Sequence, residues 1–299
     1  MNAPATQSQT RAFGSFVLVT LIWGSTWLVI KDQVSAVPAA WSVVWRFILA
    51  SAAIMALAGL RGIRLRLERR EHLLAAAIGL FQFCVNFQLI YQAERYLTSG
   101  LVAVMFGLMI LPNALLARAV LGTPVGGRFL AGSGIALCGI ALLLLHEYRI
   151  AALDHGVVIG GALVALAILS VAVGNLLQAT STARSIPVLG LMAWSMVWGT
   201  GFNFAFAAAF VGVPQFDPRP AYLGGIGYLA LIGSVLTFPL YSQLIREWGP
   251  GKAAYNAVAV PVVAMVLSTL FEGYRWSFLA EAGGLLAIVG LLIALSGRK

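Results

Sequence analysis

Ten mainly apolar stretches follow one another along this chain, at residues 12–31, 40–60, 73–92, 98–117, 127–146, 156–178, 188–211, 222–245, 252–271 and 278–296. A helix needs roughly 20 such residues to cross the hydrocarbon core of a bilayer. Lipid offers no partner to a backbone N–H or C=O, so a spanning segment must satisfy its own polar groups, as a helix does. The expected fold is therefore all-α, a polytopic membrane protein of ten transmembrane helices. The gaps between the runs leave hardly any chain for a soluble domain. The first run is too long for a cleaved signal peptide, lacks a small-residue cleavage site and is followed by nine similar runs. Residues 1–11 are polar and are expected to form a disordered tail.

Charge supports the same class. Charged residues make up 10% of the chain, against about 25% in a soluble domain. The formal charge of +9 would suit nucleic acid if it were clustered. Instead it is sorted by loop. Alternating the loops between two sides puts Arg11, Arg61, Arg64, Arg66, Arg69, Arg70, Arg118, Arg128, Arg184, Arg246, Lys252, Arg298 and Lys299 on one side. Lys31, Arg95, Arg149, Arg219 and Arg275 fall on the other. The excess of basic residues marks the cytoplasmic side, so both termini are expected in the cytoplasm of a bacterial inner-membrane protein. The acids Asp32, Glu94, Glu147, Asp154, Asp217 and Glu272 fall in the opposite, outer set. No nucleic-acid partner is expected.

The two cysteines, Cys84 and Cys138, lie in separate runs, and no Cys/His cluster suits a metal. No metal and no cofactor is expected. His72, His146 and His155 lie at span ends and read as interfacial polar residues, and Trp41, Trp45, Trp248 and Trp276 read as interface anchors.

Comparing the chain with itself reveals a repeat. A shift of 149 residues pairs Pro38 with Pro187, Trp45 with Trp194, Pro112 with Pro261, Gly134 with Gly283, and Phe129-Leu130-Ala131 with Phe278-Leu279-Ala280. The shift divides the chain into residues 12–150 and 151–299, each with five spans. Five is odd, so the second half enters the membrane from the opposite side. Inverted repeats of this kind are characteristic of secondary transporters, with the substrate site at the repeat interface near the midplane. A duplication that merely enlarged the bundle is the plainer reading.

Several residues carry a family resemblance. Trp23-Gly24 lies in the first run, Pro38 and Arg46-Phe47 in the second, Pro112 and Pro261 in the fourth and ninth. The ninth ends Leu270-Phe271-Glu272-Gly273. In order and spacing these resemble the EamA-type branch of the drug/metabolite transporter superfamily over about residues 15–296, and within it the YddG-type exporters of aromatic and other neutral amino acids. The resemblance implies two inverted five-helix repeats and the export of small metabolites. One departure stands out: Thr123, the counterpart of Glu272, is not acidic.

Candidate site residues fall into three groups. Gln82 with Asn86, Asn175 with Gln178, Asn256, and Thr26 beside Trp23 are polar groups deep in the runs, which need partners or water. An interhelical hydrogen bond, worth about 0.6 kcal/mol on average, accounts for any one of them. As a set they point to a wet central cavity whose amides bind an amino acid. Met105 and Met109 share one face with Pro112, and Phe238 and Tyr241 share another; Tyr255 precedes Asn256. Rings and thioethers suit an aromatic substrate, although they also suit ordinary packing. Pro112 and Pro261 each remove a helical hydrogen bond at residue i−4, Leu108 and Ala257. They read as paired gates or as static kinks.

Arg46 is the one charge well inside a run and is expected to snorkel outward or to fix helix ends. No acid lies near a midplane, so no coupling proton is evident. A small neutral or zwitterionic solute fits, moved by a monomeric facilitator. A broader exporter of uncharged metabolites or drugs is the alternative. An intramembrane lipid enzyme would need a nucleophile with its base or a ligand cluster, and the runs contain neither.

Overall fold

A computed structural model describes residues 3–122, 124–150, 155–241, 244 and 255–296. Among these residues every regular element is helical. The long helices are α1 (Ala3–Ala36), α2 (Ala39–Leu60), α3 (Arg69–Ala93) and α4 (Ser99–Val120), α5 (Gly127–Ile150) and α6 (His155–Gln178). They continue with α7 (Val188–Phe210), α8 (Pro220–Tyr241), α9 (Asn256–Phe271) and α10 (Phe278–Ser296). Eight of them are long and apolar enough to cross a membrane. The other two are α7, diluted by Ser195, Thr200 and Asn203, and α9, whose described part is 16 residues long.

The first helix differs from expectation. It begins at Ala3 rather than after a disordered tail. Pro4 sits in its first turn, where a missing N–H costs nothing, and no glycine or proline interrupts residues 5–13.

Short signals set the helix ends. Pro38 and Pro187 occupy the N-cap positions of α2 and α7. Glu68 and Glu71 form a reciprocal capping box at the start of α3. Gly62, Gly122, Gly212 and Gly273 close α2, α4, α7 and α9 with positive φ, which glycine adopts at little steric cost.

Two helices contain π-helical stretches, Gly79–Val85 in α3 and Tyr228–Leu236 in α8. Their starts are 149 residues apart (228 − 79). In α3 the loosened backbone takes bonds from other helices: Ser170 Oγ donates to the Phe81 carbonyl at 2.7 Å and Asn203 Nδ2 to that of Phe83 at 2.9 Å. In α8 the bonds are local, Ser234 Oγ to the Leu229 carbonyl and Thr237 Oγ1 to that of Ile232. Single π-turns inside helices are frequent at functional sites.

Small residues let the helices approach closely. A methyl group at Gly132 would lie 2.3 Å from the Ala294 backbone nitrogen, and one at Gly139 would lie 2.4 Å from that of Ala287. The register falls on α10 as it rises on α5, so these two helices run antiparallel. Helices α2 and α7 do the same: Trp41 meets Phe204, and Thr200 donates to the Phe47 carbonyl.

Trp41 is a correction. It is fully buried among α2, α7 and α8, close to Tyr222 and Ala207, and does not reach a lipid interface. The rings of its neighbours Trp45 and Phe204 pack against it. Trp45 and Trp276 keep polar ties, to the Gln215 carbonyl and the Thr269 hydroxyl. Trp248 lies outside the described residues.

Candidate substrate site between helices 1, 2, 3 and 8

Of the two expectations for Arg46, snorkelling outward is corrected, while a tie to neighbouring helices is what the side chain makes. Its side chain is 4% exposed and enclosed by α2, α3 and α8. Nη1 donates to the Tyr91 hydroxyl and Nη2 to the Ser234 hydroxyl, both at 3.3 Å. The guanidinium carbon lies 4.6 Å from the Phe87 ring centroid and 5.6 Å from that of Phe47. The pull of two ring faces and two hydroxyls turns the side chain inward.

From this cation a line of rings runs through the bundle. Centroid distances are 4.8 Å from Phe87 to Phe47, 5.6 Å from Phe47 to Phe83, 6.2 Å from Phe83 to Phe238 and 5.8 Å from Phe238 to Trp23. Tyr241 closes the line, 5.0 Å from Trp23. Trp23 Nε1 donates to the Gly233 carbonyl at 3.3 Å, and the Thr26 methyl presses on Gly233, where a Cβ would meet it at 2.9 Å. The expected residues Trp23, Thr26, Phe238 and Tyr241 are thus brought together, joined by Phe83 and Phe87. Those two were missed because a phenylalanine in an apolar run gives no sequence signal of its own.

The expected amides form separate clusters. Gln178 Nε2 donates to Gln82 Oε1 between α6 and α3. Asn175 Nδ2 reaches Asn113 Oδ1 at 3.3 Å and Met109 sulfur at 3.6 Å. Asn86 is buried and donates only within its own helix, at 3.4 Å to the Gln82 carbonyl; its Oδ1 has no protein partner. Asn256 accepts from Thr20 Oγ1 at 3.3 Å, and its Nδ2 has no protein partner. Met105 is buried near Gly161, while Tyr255 is 38% exposed and stands apart from the ring line.

Pro112 and Pro261 lie on helices that touch. Pro112 follows a 3-10 turn at Gly107–Met109 in α4, which contains the i−4 residue Leu108. Pro261 lies inside α9.

A polar cluster closes one end of the bundle. Lys31 Nζ donates to the Glu94 carbonyl and, at 2.8 Å, to the Leu97 carbonyl, tying α1 to the α3–α4 turn. Glu272 accepts from Ser99 N at 3.2 Å and from Ser99 Oγ, capping α4 from the end of α9. His146 bonds to the Arg275 carbonyl and the Ser277 hydroxyl, at 2.9 and 2.8 Å. Glu94, one of the acids of the outer set, is fully buried and neither carboxyl oxygen has a protein partner. Burial pushes its carboxyl well above the ordinary range; Lys31 draws it back only in part, and Glu272 pushes it further up. Among the described residues no three His, Cys, Asp or Glu side chains gather to hold a metal.

Comparison with known proteins agrees with this architecture. The model of the "EamA-like transporter family" matches residues 11–145 and again 158–296. The Escherichia coli K12 protein named "Uncharacterized inner membrane transporter YedA" is 30% identical over 264 residues, covering 87% of this chain and 83% of its own. A "Probable terminal-alkyne amino-acid exporter" of Streptantibioticus cattleyicolor is 24% identical, covering 95% and 93%. A crystal structure superimposes with a TM-score of 0.69 at 18% identity, covering 97% of this chain and 98% of the other. With both halves matched by one family and the helices built to cross a bilayer, the chain is a multi-pass membrane transporter, not an enzyme, and it belongs to the EamA-like transporter family.

Proposed function

We propose that the protein exports neutral amino acids, aromatic ones included, from the cytoplasm across a bacterial inner membrane. The observation that carries this reading is the line of rings from Phe87 to Trp23, contributed by α1, α2, α3 and α8. An aromatic wall of this kind suits an aromatic side chain, and the separate clusters of Gln82, Asn86, Asn175, Gln178 and Asn256 offer neutral hydrogen bonding elsewhere in the bundle. A relative named as an amino-acid exporter supports the same substrate class.

The mechanism is alternating access between two inverted five-helix halves, residues 12–150 and 151–299. The equal offset of the two π-helical starts, the matched proline N-caps and the antiparallel α5–α10 pair support that division. Pro112 and Pro261 act as hinges in it. The Lys31–Glu94–Glu272 end faces outward, both termini are cytoplasmic, and exposed side chains such as Leu21, Leu166, Leu270 and Leu285 face lipid. The protein works as a monomer and a facilitator. Purified protein in liposomes, loaded in turn with labelled neutral, acidic and basic amino acids, tests the reading. Release of phenylalanine and its neutral kin is expected. Failure of all neutral amino acids to move defeats it.

A further inference from the structure

A guanidinium carries five N–H donors in a planar fork. Arg46 uses two of them on hydroxyls, each at the long distance of 3.3 Å, and its Nε has no protein partner. No carboxylate among the described residues pairs with it; the ion pairs there are Arg64–Glu71 and Arg219–Asp217, both at helix ends. A charge taken out of water without a counter-ion is costly unless it is paired. Inside a membrane span such a residue by default marks a substrate or ion path.

The surroundings say what would pair with it. Phe87 and Phe47 lie against the guanidinium, and its buried Nε–H is left without an acceptor. Tyr91 accepts from Nη1, so its own proton remains to be donated. The unpartnered Nε–H and the Tyr91 hydroxyl are two donors in want of acceptors, and a carboxylate is the acceptor that an Arg binds most strongly. The ring line starts at Phe87 and leads away from the cation. An anionic head at one end and an apolar row behind it suit one shape of solute.

We propose that Arg46 is the carboxylate-binding residue of the substrate site, so that the transported class is the small amphiphilic carboxylate with its apolar part against Phe87 and Phe238, rings of the line that are not fully buried. The inference rests on the transport reading above, but it concerns the carboxylate alone. Holding α2, α3 and α8 together is the competing role.

Altering the solute separates the two roles without disturbing the fold. In proteoliposomes holding wild-type protein, phenylalanine, 3-phenylpropanoate, phenylalaninamide and phenethylamine are tested as competitors of labelled phenylalanine, and 3-phenylpropanoate is also measured by direct binding and efflux. Removing one charge-assisted hydrogen bond from the solute lowers affinity by about ten- to a hundredfold. The two carboxylates should compete better than the amide and the amine by that factor. In Arg46→Gln that advantage should vanish while phenethylamine binds as before. If the amide or the amine competes as well as phenylalanine in the wild type, the inference falls and the amino-acid reading survives. If 3-phenylpropanoate binds and moves but no amino acid does, the amino-acid reading falls and Arg46 keeps its role. A wild-type protein that binds neither carboxylate overturns the inference. Should Arg46→Gln not fold, the wild-type series still decides.

Discussion

Gly107 of α4 lies against the backbone carbonyl of Ala257 in α9: a Cβ at Gly107 would sit 3.0 Å from that oxygen and 3.6 Å from the ring of Pro261. Ala257 is the residue whose carbonyl Pro261 deprives of its helical partner. Gly107 also opens the 3-10 turn that precedes Pro112. The loosened stretches of two proline-bearing helices therefore meet face to face, and glycine is what lets them meet.

That contact yields the first prediction. Gly107→Ala should overpack the crossing and destabilise the protein by about 1–3 kcal/mol, seen as a lower Tm in detergent. Pro112→Ala and Pro261→Ala should do the opposite locally, since each restores an N–H to its helix. With either, phenylalanine efflux should slow about tenfold, equivalent to some 1.4 kcal/mol on the barrier, while the protein stays monodisperse. Wild-type efflux rates would reduce the prolines to static kinks.

The α5–α10 seam gives a prediction with its own control. A methyl group at Gly290 would lie 2.3 Å from the Ala136 backbone nitrogen, whereas one at Gly134 meets nothing within 4 Å. Gly290→Leu should abolish recovery of monodisperse protein, because two backbones would have to separate. Gly134→Leu should be recovered at wild-type yield. Size-exclusion profiles of the two variants check both outcomes.

The helices were legible in the sequence because burial in lipid writes itself as long apolar runs, and the start of α2 and α7 because proline favours a first turn. Arg46 shows where legibility stopped. It stood out as a lone charge, but its partners Tyr91 and Ser234 are 45 and 188 residues away, and no local pattern connects them. Snorkelling and a tie between helix ends were both open for a long cationic side chain near a span end; two ring faces and two hydroxyls decide for the inward position. The burial of Glu94 was not legible for a related reason. Glu94 stands at a span end, and the reach of Lys31 from α1 and of Glu272 from α9 toward it has no local signal in the sequence. Among the expected amides, Gln82 and Gln178 do meet, whereas Tyr255, chosen for adjacency to Asn256, does not join the rings.

Gln82 and Gln178 separate packing from function. An interhelical amide bond is worth about 0.6 kcal/mol on average, so Gln178→Ala should leave Tm nearly unchanged. If the pair borders the substrate path, the apparent affinity for phenylalanine should fall while stability does not. A loss in Tm without a loss in affinity would assign the pair to packing alone.

Sidedness can be read chemically. Leu65→Cys should react with a membrane-impermeant thiol reagent only after the cytoplasmic face is exposed, and Val213→Cys, on the opposite loop set and 78% exposed, should react in intact cells. The reverse pattern would invert the proposed orientation. Native Cys84 is buried and should stay silent in both.

Glu94 predicts a dependence on pH that is the reverse of the usual carboxylate case. Burial raises its pKa above the ordinary 4.5, so the folded state holds the proton more tightly than the unfolded one. The contribution to stability is full below 4.5 and is lost as pH rises through the raised value. Tm should therefore fall from mildly acidic to mildly alkaline buffer, and Glu94→Gln, which stays neutral, should flatten that trend. A Tm that rises with pH in the wild type and not in the variant would contradict the sign.

Sensitivity to pH is not coupling to a proton gradient, and the two can be told apart. Glu94 lies at one end of the bundle, beside Lys31 and the Ser99–Glu272 cap, not along the ring line. With that end facing outward, as proposed above, a proton bound at Glu94 exchanges with one side of the membrane. A zwitterionic amino acid carries no net charge, so the membrane potential acts on its movement only through an ion that travels with it. Liposomes loaded with phenylalanine should release it down its own gradient. Changing pH equally on both sides should alter the rate through Glu94. Imposing a pH difference at fixed outer pH should leave the rate unchanged and should drive no accumulation. Uphill accumulation of phenylalanine powered by the pH difference, abolished in Glu94→Gln, would make this acid a coupling site and end the facilitator reading.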